Sequence, residues 1–331
     1  MTYLMPIEHE RSSSSAQISR RFVNPLSDGR LSILVQKIMQ LRVSTQTPVS
    51  AEAMMSYSRF ERTFRRFVPS VGKASYNPFV KITGNTVSSV LSLPFPELRH
   101  LPPNHLRIRI GVENRILNNH VHFLEMGSGF WLNFFSHQYC NYRSDVLELG
   151  CGCGRIAWPL KGDWFEGTYL GVDVDREMIE YCCRNFPEER FQFVLSPHKS
   201  TTYSPTASHV RGGSTSKFVI AEPQSKDFVY SVSLYSHLLE QEVTEYMGET
   251  YRILRTDGVM YMTFFCIEHV ELGRRWTFRH RRGSAYIENE QYPEAAVAYH
   301  ERFIVEITKD YGFREVSISP GKGQSILVAH K

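Results

Sequence analysis

The chain of 331 residues has no run approaching the ~18–20 consecutive apolar residues that a bilayer crossing needs. Its first stretch, Met1 to Arg11, carries acids and no apolar core, so no signal peptide is expected there. Cysteine is sparse: Cys140, Cys151, Cys153, Cys182, Cys183 and Cys266 make no disulfide framework, and a reducing cytoplasm is the expected setting. Cys151 and Cys153 form C-x-C, but no second pair stands at zinc spacing, so they read as small residues fitted to a turn and no metal is expected. Charge is also nearly balanced. The difference of 38 basic and 34 acidic residues, +4, does not by itself call for nucleic acid. No internal repeat is visible. What remains is a globular composition, 42% hydrophobic and 22% charged, in a chain long enough to bury a sizeable core.

The most informative segment is Glu148-Leu149-Gly150-Cys151-Gly152-Cys153-Gly154-Arg155-Ile156, directly after the strand-like Asp145-Val146-Leu147. Three glycines at every second position make a turn bare of side chains, so backbone N–H groups can approach a ligand, with a helix N-terminus expected behind them. Dinucleotide folds use a related turn with G-x-G-x-x-G spacing. Here the spacing is G-x-G-x-G with a carboxylate two residues ahead, which suits a ligand that has no pyrophosphate and whose amino group needs a nearby anion.

Alternation continues downstream. Tyr169 to Asp175 reads as a second strand ending in acid, with Asp173 placed 19 residues after Gly154. That is close to the ~20-residue distance at which such folds set a carboxylate on ribose hydroxyls. A helix over 177–185, strands at 191–195 and 228–232, a helix over 238–254 and a strand at 259–265 follow. Strands at 312–318 and 325–329 close the chain. Alternating elements of this kind build a parallel sheet covered on both faces.

Over roughly 101–331 this set resembles the class I S-adenosylmethionine-dependent methyltransferases, whose first motif reads E/D-x-G-x-G-x-G. The resemblance implies an α/β, Rossmann-like, doubly wound seven-stranded sheet with an antiparallel last strand, and S-adenosyl-L-methionine as cofactor. It implies that Glu148 accepts from the methionine ammonium and that Gly150, Cys151, Gly152 and Gly154 admit the methionine and ribose portions. Asp173 would hold the ribose, Val174 and Met178 would pack against adenine, Ser196 would lie at the adenine end, and the Ser231 and Val232 backbone would meet the amino-acid end. The segments Leu101-Pro102-Pro103-Asn104-His105-Leu106-Arg107, Tyr230 to Leu238 and Pro293 to Tyr299 look like a bacterial subgroup that modifies small molecules or glycans in biosynthesis. Two departures are visible: Ser196-Pro197-His198 replaces the usual acidic residue after the third strand, and Thr256-Asp257-Gly258 replaces a Pro-Gly-Gly turn.

His237 follows Ser231 by six residues, past the end of the fourth strand, where ligands bind in open α/β sheets. It suits a general base, with a backbone-bonded helix-start histidine as the plain alternative; Tyr235 is a candidate acceptor wall or donor, with simple packing as its alternative. The Arg274, Arg275, Arg279, Arg281 and Arg282 cluster with His280 is either a solvated face or a grip on phosphate or carboxylate. The polar stretch 196–226 is too long for an ordinary connection and suggests a lid or a disordered segment.

Ahead of the domain, residues 1–28 read as a Ser-rich flexible tail and 29–100 as a helical N-terminal cap. The cap has apolar Leu31, Leu34, Val35, Ile38 and Leu41, then Tyr57, Phe60, Phe64 and Phe67, at helical spacing. A run of prolines at 94, 96, 102 and 103 suggests a boundary near residue 100. The function expected is methyl transfer to oxygen or nitrogen of a small-molecule, peptide or glycan acceptor. An RNA-modifying enzyme is disfavoured because no Asn-Pro-Pro-Tyr-type segment or RNA-binding module is present. A non-catalytic scaffold is disfavoured by the intact glycines and carboxylates.

Overall fold

The computed structural model describes residues 78–110, 120–196, 219–273 and 275–331. The expected tail, the helices expected near 31–41 and 57–67, most of the long polar stretch and Arg274 lie outside the described residues. Among the described residues no helix is long and apolar enough to cross a membrane.

Residues Val146–Leu149 form β1, buried along its whole length, as a central parallel strand covered on both faces must be. It pairs in parallel with β2, Tyr169–Asp173, and with β4, Lys226–Ser231. Outside β2 lies β3, Phe191–Leu195, whose exposure alternates as expected of an edge strand. Beyond β4 runs β5, Leu254–Cys266. The last strand, β10, Ser325–His330, is antiparallel to β5 and pairs outward with β9, Arg314–Pro320. The order β3-β2-β1-β4-β5-β10-β9 is the expected seven-stranded sheet with an antiparallel last strand.

Three further strands have no counterpart in the sequence pattern, and the sheet has ten. The C-terminal end of β5 pairs in parallel with β8, Val297–Tyr299, which continues antiparallel into β7, Ala285–Ile287, and β6, His280–Arg282. Each is three residues long, too short to show a period of two in the sequence.

Helix α3, His120–Ser136, covers one face with Trp131 and Phe134, both wholly buried against Phe228, Tyr230 and Tyr261. The Trp131 indole N–H donates to the Ile156 carbonyl at 2.6 Å. The other face is closed by α5, Glu240–Ile253, and α6, Glu301–Asp310. Helix α4, Arg176–Asn185, starts at Asp175, whose side chain accepts from the Glu177 and Met178 N–H groups, a good N-cap.

Helix α1, Pro78–Leu91, is bonded to the chain beyond residue 100: Asn85 to His105 and to its N–H, and Ser88 to Arg107 and His120. The short helix α2, Asn104–Arg107, carries the first two of these partners. Hydrogen bonding therefore crosses the proline-rich stretch at which the sequence suggests a boundary.

Candidate functional site

The C-terminal ends of β1, β2 and β4 meet at the glycine turn. Gly150, Gly152 and Gly154 all have positive φ, at 78°, 54° and 80°, a region that L side chains rarely enter. Space enforces the same choice. A Cβ on Gly152 would lie 2.7 Å from Ile110 Cγ2, and one on Gly154 would lie 2.7 Å from Phe186 Cζ. The turn does not run into an α-helix as expected. The chain passes through successive turns into a 3-10 helix at Trp158–Lys161, with the Trp158 N–H on the Gly154 carbonyl. Pro159 lacks the N–H that a regular helix would use there.

Asp173, at the end of β2, bridges the turn to the start of α4. One carboxylate oxygen accepts from the Gly152 N–H at 2.7 Å and the other from the Asp175 N–H at 2.9 Å. Burial pushes its pKa up, and these backbone donors pull against that rise. Met178 packs beside Gly152, its sulfur 3.6 Å from where a Cβ would stand. Val174 is half-buried. Ser196 donates its N–H to the Asp173 carbonyl at 2.7 Å, and its hydroxyl lies 3.3 Å from that of Tyr246. Ser231 stands beside Leu149 in the β1–β4 register and is wholly buried. Its hydroxyl has no hydrogen-bond partner among the described residues.

Glu148 lies beneath the turn rather than in it. Its carboxylate accepts from the Tyr169 hydroxyl at 2.5 Å and the Tyr230 hydroxyl at 3.0 Å. It is 2% exposed, and burial drives its pKa to about 8 against the pull of both tyrosines and Arg155. Cys151 and Cys153 are buried, and burial pushes both thiols up. They fill the turn as small apolar groups.

After β4 the chain turns sharply at Ser233, φ 64°. The Ser233 N–H donates to Thr263 Oγ1 at 2.7 Å, and Gln324 Oε1 accepts from both Ser233 and Thr263. This turn presents His237. Its Nδ1 lies 2.8 Å from the Glu294 carbonyl, which makes Nδ1 the protonated nitrogen of the neutral ring. Burial lowers its pKa, while the contacts with Glu294 and Ala295 oppose that. Tyr235 follows two residues after Ser233. It is 1% exposed within the apolar cluster under α5, because the turn directs its ring inward.

An ionic clasp over this site has no local signature in the chain apart from Asp175, a capping residue before a helix. Arg109 donates to Asp175 at 2.8 Å and to Glu177 at 2.6 Å, and Lys81 and His105 also meet Glu177, at 2.5 and 2.9 Å. Burial raises the Glu177 pKa, but its hydrogen bonds with Lys81, His105 and Arg109 outweigh that and hold it at about 2. The clasp ties α1 and α2 to the first turn of α4 and sets Ile110 against Gly152. Arg279, Arg281 and Arg282 sit on or beside the β6–β7 hairpin, with Arg281 stacked over Tyr286.

Residues 147–262 match the family model for a methyltransferase domain, a span that holds the glycine turn, Asp173 and Ser231. Solved structures similar to the chain include an S-adenosylmethionine-dependent methyltransferase from Methanosarcina mazei. It is 18% identical, covering 60% of this chain and 96% of that one, with a TM-score of 0.42. Another is an S-adenosylmethionine-dependent methyltransferase from Mesorhizobium loti, 12% identical over 59% and 95%, at 0.40. A third is phosphoethanolamine N-methyltransferase 2 from Haemonchus contortus, in complex with S-adenosyl-L-methionine, 17% identical over 57% and 38%, at 0.39. The domain match supports methyltransferase activity with S-adenosyl-L-methionine as the methyl donor. The described residues fit that cofactor: a turn of three glycines at positive φ, a carboxylate at the end of β2, and an unpartnered buried hydroxyl at the end of β4.

Proposed function

We propose that the chain transfers a methyl group from S-adenosyl-L-methionine to an oxygen or nitrogen of a small metabolite, a peptide natural product or a glycan. The observation that supports the reading is the bond from the Gly152 N–H to Asp173, which brings together the two motifs expected to bind the cofactor. When bound, the cofactor supplies an electrophilic methyl group on a sulfonium.

The chain's part is alignment and exclusion of water, the main needs of an in-line displacement. Asp173 retains acceptor capacity for ribose hydroxyls, Val174 and Met178 offer apolar surface to adenine, and Ser196 borders that end. The backbone at Ser231 and Val232 serves the amino-acid end, and Glu148 backs the turn as a buried carboxyl that a methionine ammonium beside it would draw into its ionised form. His237 acts on the acceptor. With Nδ1–H fixed on the Glu294 carbonyl, the basic electron pair is on Nε2, which can take a proton from a hydroxyl or amine. A carboxylate acceptor would need no base. Residues 29–100 serve as a cap over the acceptor.

Calorimetry with S-adenosyl-L-methionine, its demethylated product and NAD tests the cofactor assignment. Heat with the first two supports it; binding of NAD alone overturns it. Transfer of labelled methyl across a panel of hydroxyl, amine and carboxylate acceptors tests the rest.

A further inference from the structure

A second cluster of reactive side chains lies beyond the C-terminal end of β5, outside the cofactor residues. The thiol of Cys266, a ring nitrogen of His269 and a carboxylate oxygen of Glu301 all lie within 4.8 Å of one another. Three separate elements supply them. Cys266 ends β5, His269 follows on a turn whose N–H returns to the Cys266 carbonyl, and Glu301 opens α6. The parallel pairing of Cys266 with Tyr299 brings the start of α6 to the end of β5.

The surrounding groups orient this set. His269 Nδ1 lies 2.9 Å from Ser325 Oγ, and its Nε2 faces Glu301 Oε2 at 3.8 Å. Ligands on a tetrahedral zinc-sized ion stand about 3.4 Å apart for nitrogen and oxygen, so a small side-chain movement closes the set. Glu268 Oε2 accepts from the Cys266 thiol at 3.0 Å and from the Glu301 N–H at 3.0 Å, and His300 meets its other oxygen at 2.7 Å. Cys266 is wholly buried, whereas the side chains of His269 and Glu301 are 23% and 44% exposed. The donors therefore have an anchored soft ligand inside and a solvent path outside.

We propose that Cys266, His269 and Glu301 bind one divalent cation of the zinc class, with the fourth position open to water. A thiolate and an imidazole select zinc or cobalt over magnesium and calcium, which take oxygen ligands. Binding releases the Cys266 proton to solvent and forms the metal–sulfur bond. Thiolate and carboxylate then neutralise the two positive charges, and Glu268 keeps its His300 and Glu301 N–H contacts to hold the ligands in place.

The test uses the full chain, stripped with a chelator and titrated with Co²⁺. One equivalent should bind, giving tetrahedral bands in the red and a thiolate-to-metal band in the near ultraviolet, both lost on adding Zn²⁺. Cys266→Ser should lose the near-ultraviolet band. Glu301→Gln, at a half-exposed position, should weaken binding by about 10–100-fold while cofactor heat stays unchanged. A wild-type chain that takes up no Co²⁺ overturns the proposal. So does an unchanged spectrum in Cys266→Ser, which would move the metal to another thiol. If Cys266→Ser does not fold, Glu301→Gln decides: unaltered affinity there refutes the site.

Discussion

Substituting Glu148 by glutamine isolates a carboxyl buried under the glycine turn. The Glu148 carboxyl has an ordinary value of 4.5 and is pushed to about 8 in the folded chain. Each pKa unit is worth about 1.36 kcal/mol, so a shift of this size costs the folded state roughly 5 kcal/mol once the group must ionise. The sign follows from the raised value. Stability is fully present below about pH 4.5 and falls as pH climbs towards 8, because the unfolded chain ionises first. The amide of Glu148→Gln would keep an oxygen to accept from Tyr169 and Tyr230 and would not titrate. The variant should therefore match the wild type near pH ~5 and exceed it near pH ~8.5 by several kcal/mol. Asp173, also raised by burial, leaves a slope of the same sign in both proteins. Urea unfolding followed by circular dichroism across that pH range reads the difference. Parallel curves would refute a buried, protonated Glu148.

Asp173→Ala should weaken cofactor binding by about 1–3 kcal/mol, or roughly 5–150-fold, since hydrogen bonds to a charged acceptor carry that much; calorimetry on a folded variant measures it. His237→Ala should lower the maximal rate about 10²–10⁴-fold with cofactor affinity little changed. Because burial lowers the His237 pKa, the acidic limb of the wild-type pH–rate profile should lie below the usual histidine value and vanish in the variant. Removing residues 1–77, which spares α1 and its bonds to His105 and Arg107, should leave cofactor heat measurable and abolish turnover. Full activity in the shortened chain would rule out the cap.

The sequence determined the parts of this protein whose signals are local. Central strands such as Val146–Leu149 are apolar, Glu148 apart, because both of their faces are covered. The three glycines stand where the backbone must turn left-handed, and Asp173 follows at the spacing that one strand–helix–strand unit imposes. Those features depend on periods of two and on residue types, which a chain displays directly. Tertiary structure decided what depends on distant partners. It drew Glu148 down onto Tyr169 and Tyr230, 21 and 82 residues away, and replaced the expected helix after the turn with a 3-10 segment. It also added the β6–β8 strands, whose three residues each are too few for a pattern, and turned Tyr235 into the core. Arg109 reached Asp175 and Glu177 across 66 and 68 residues, and Cys266 met Glu301 because β8 pairs with the end of β5. Such meetings follow from how strands are ordered across a sheet, and no local period in the chain encodes that order.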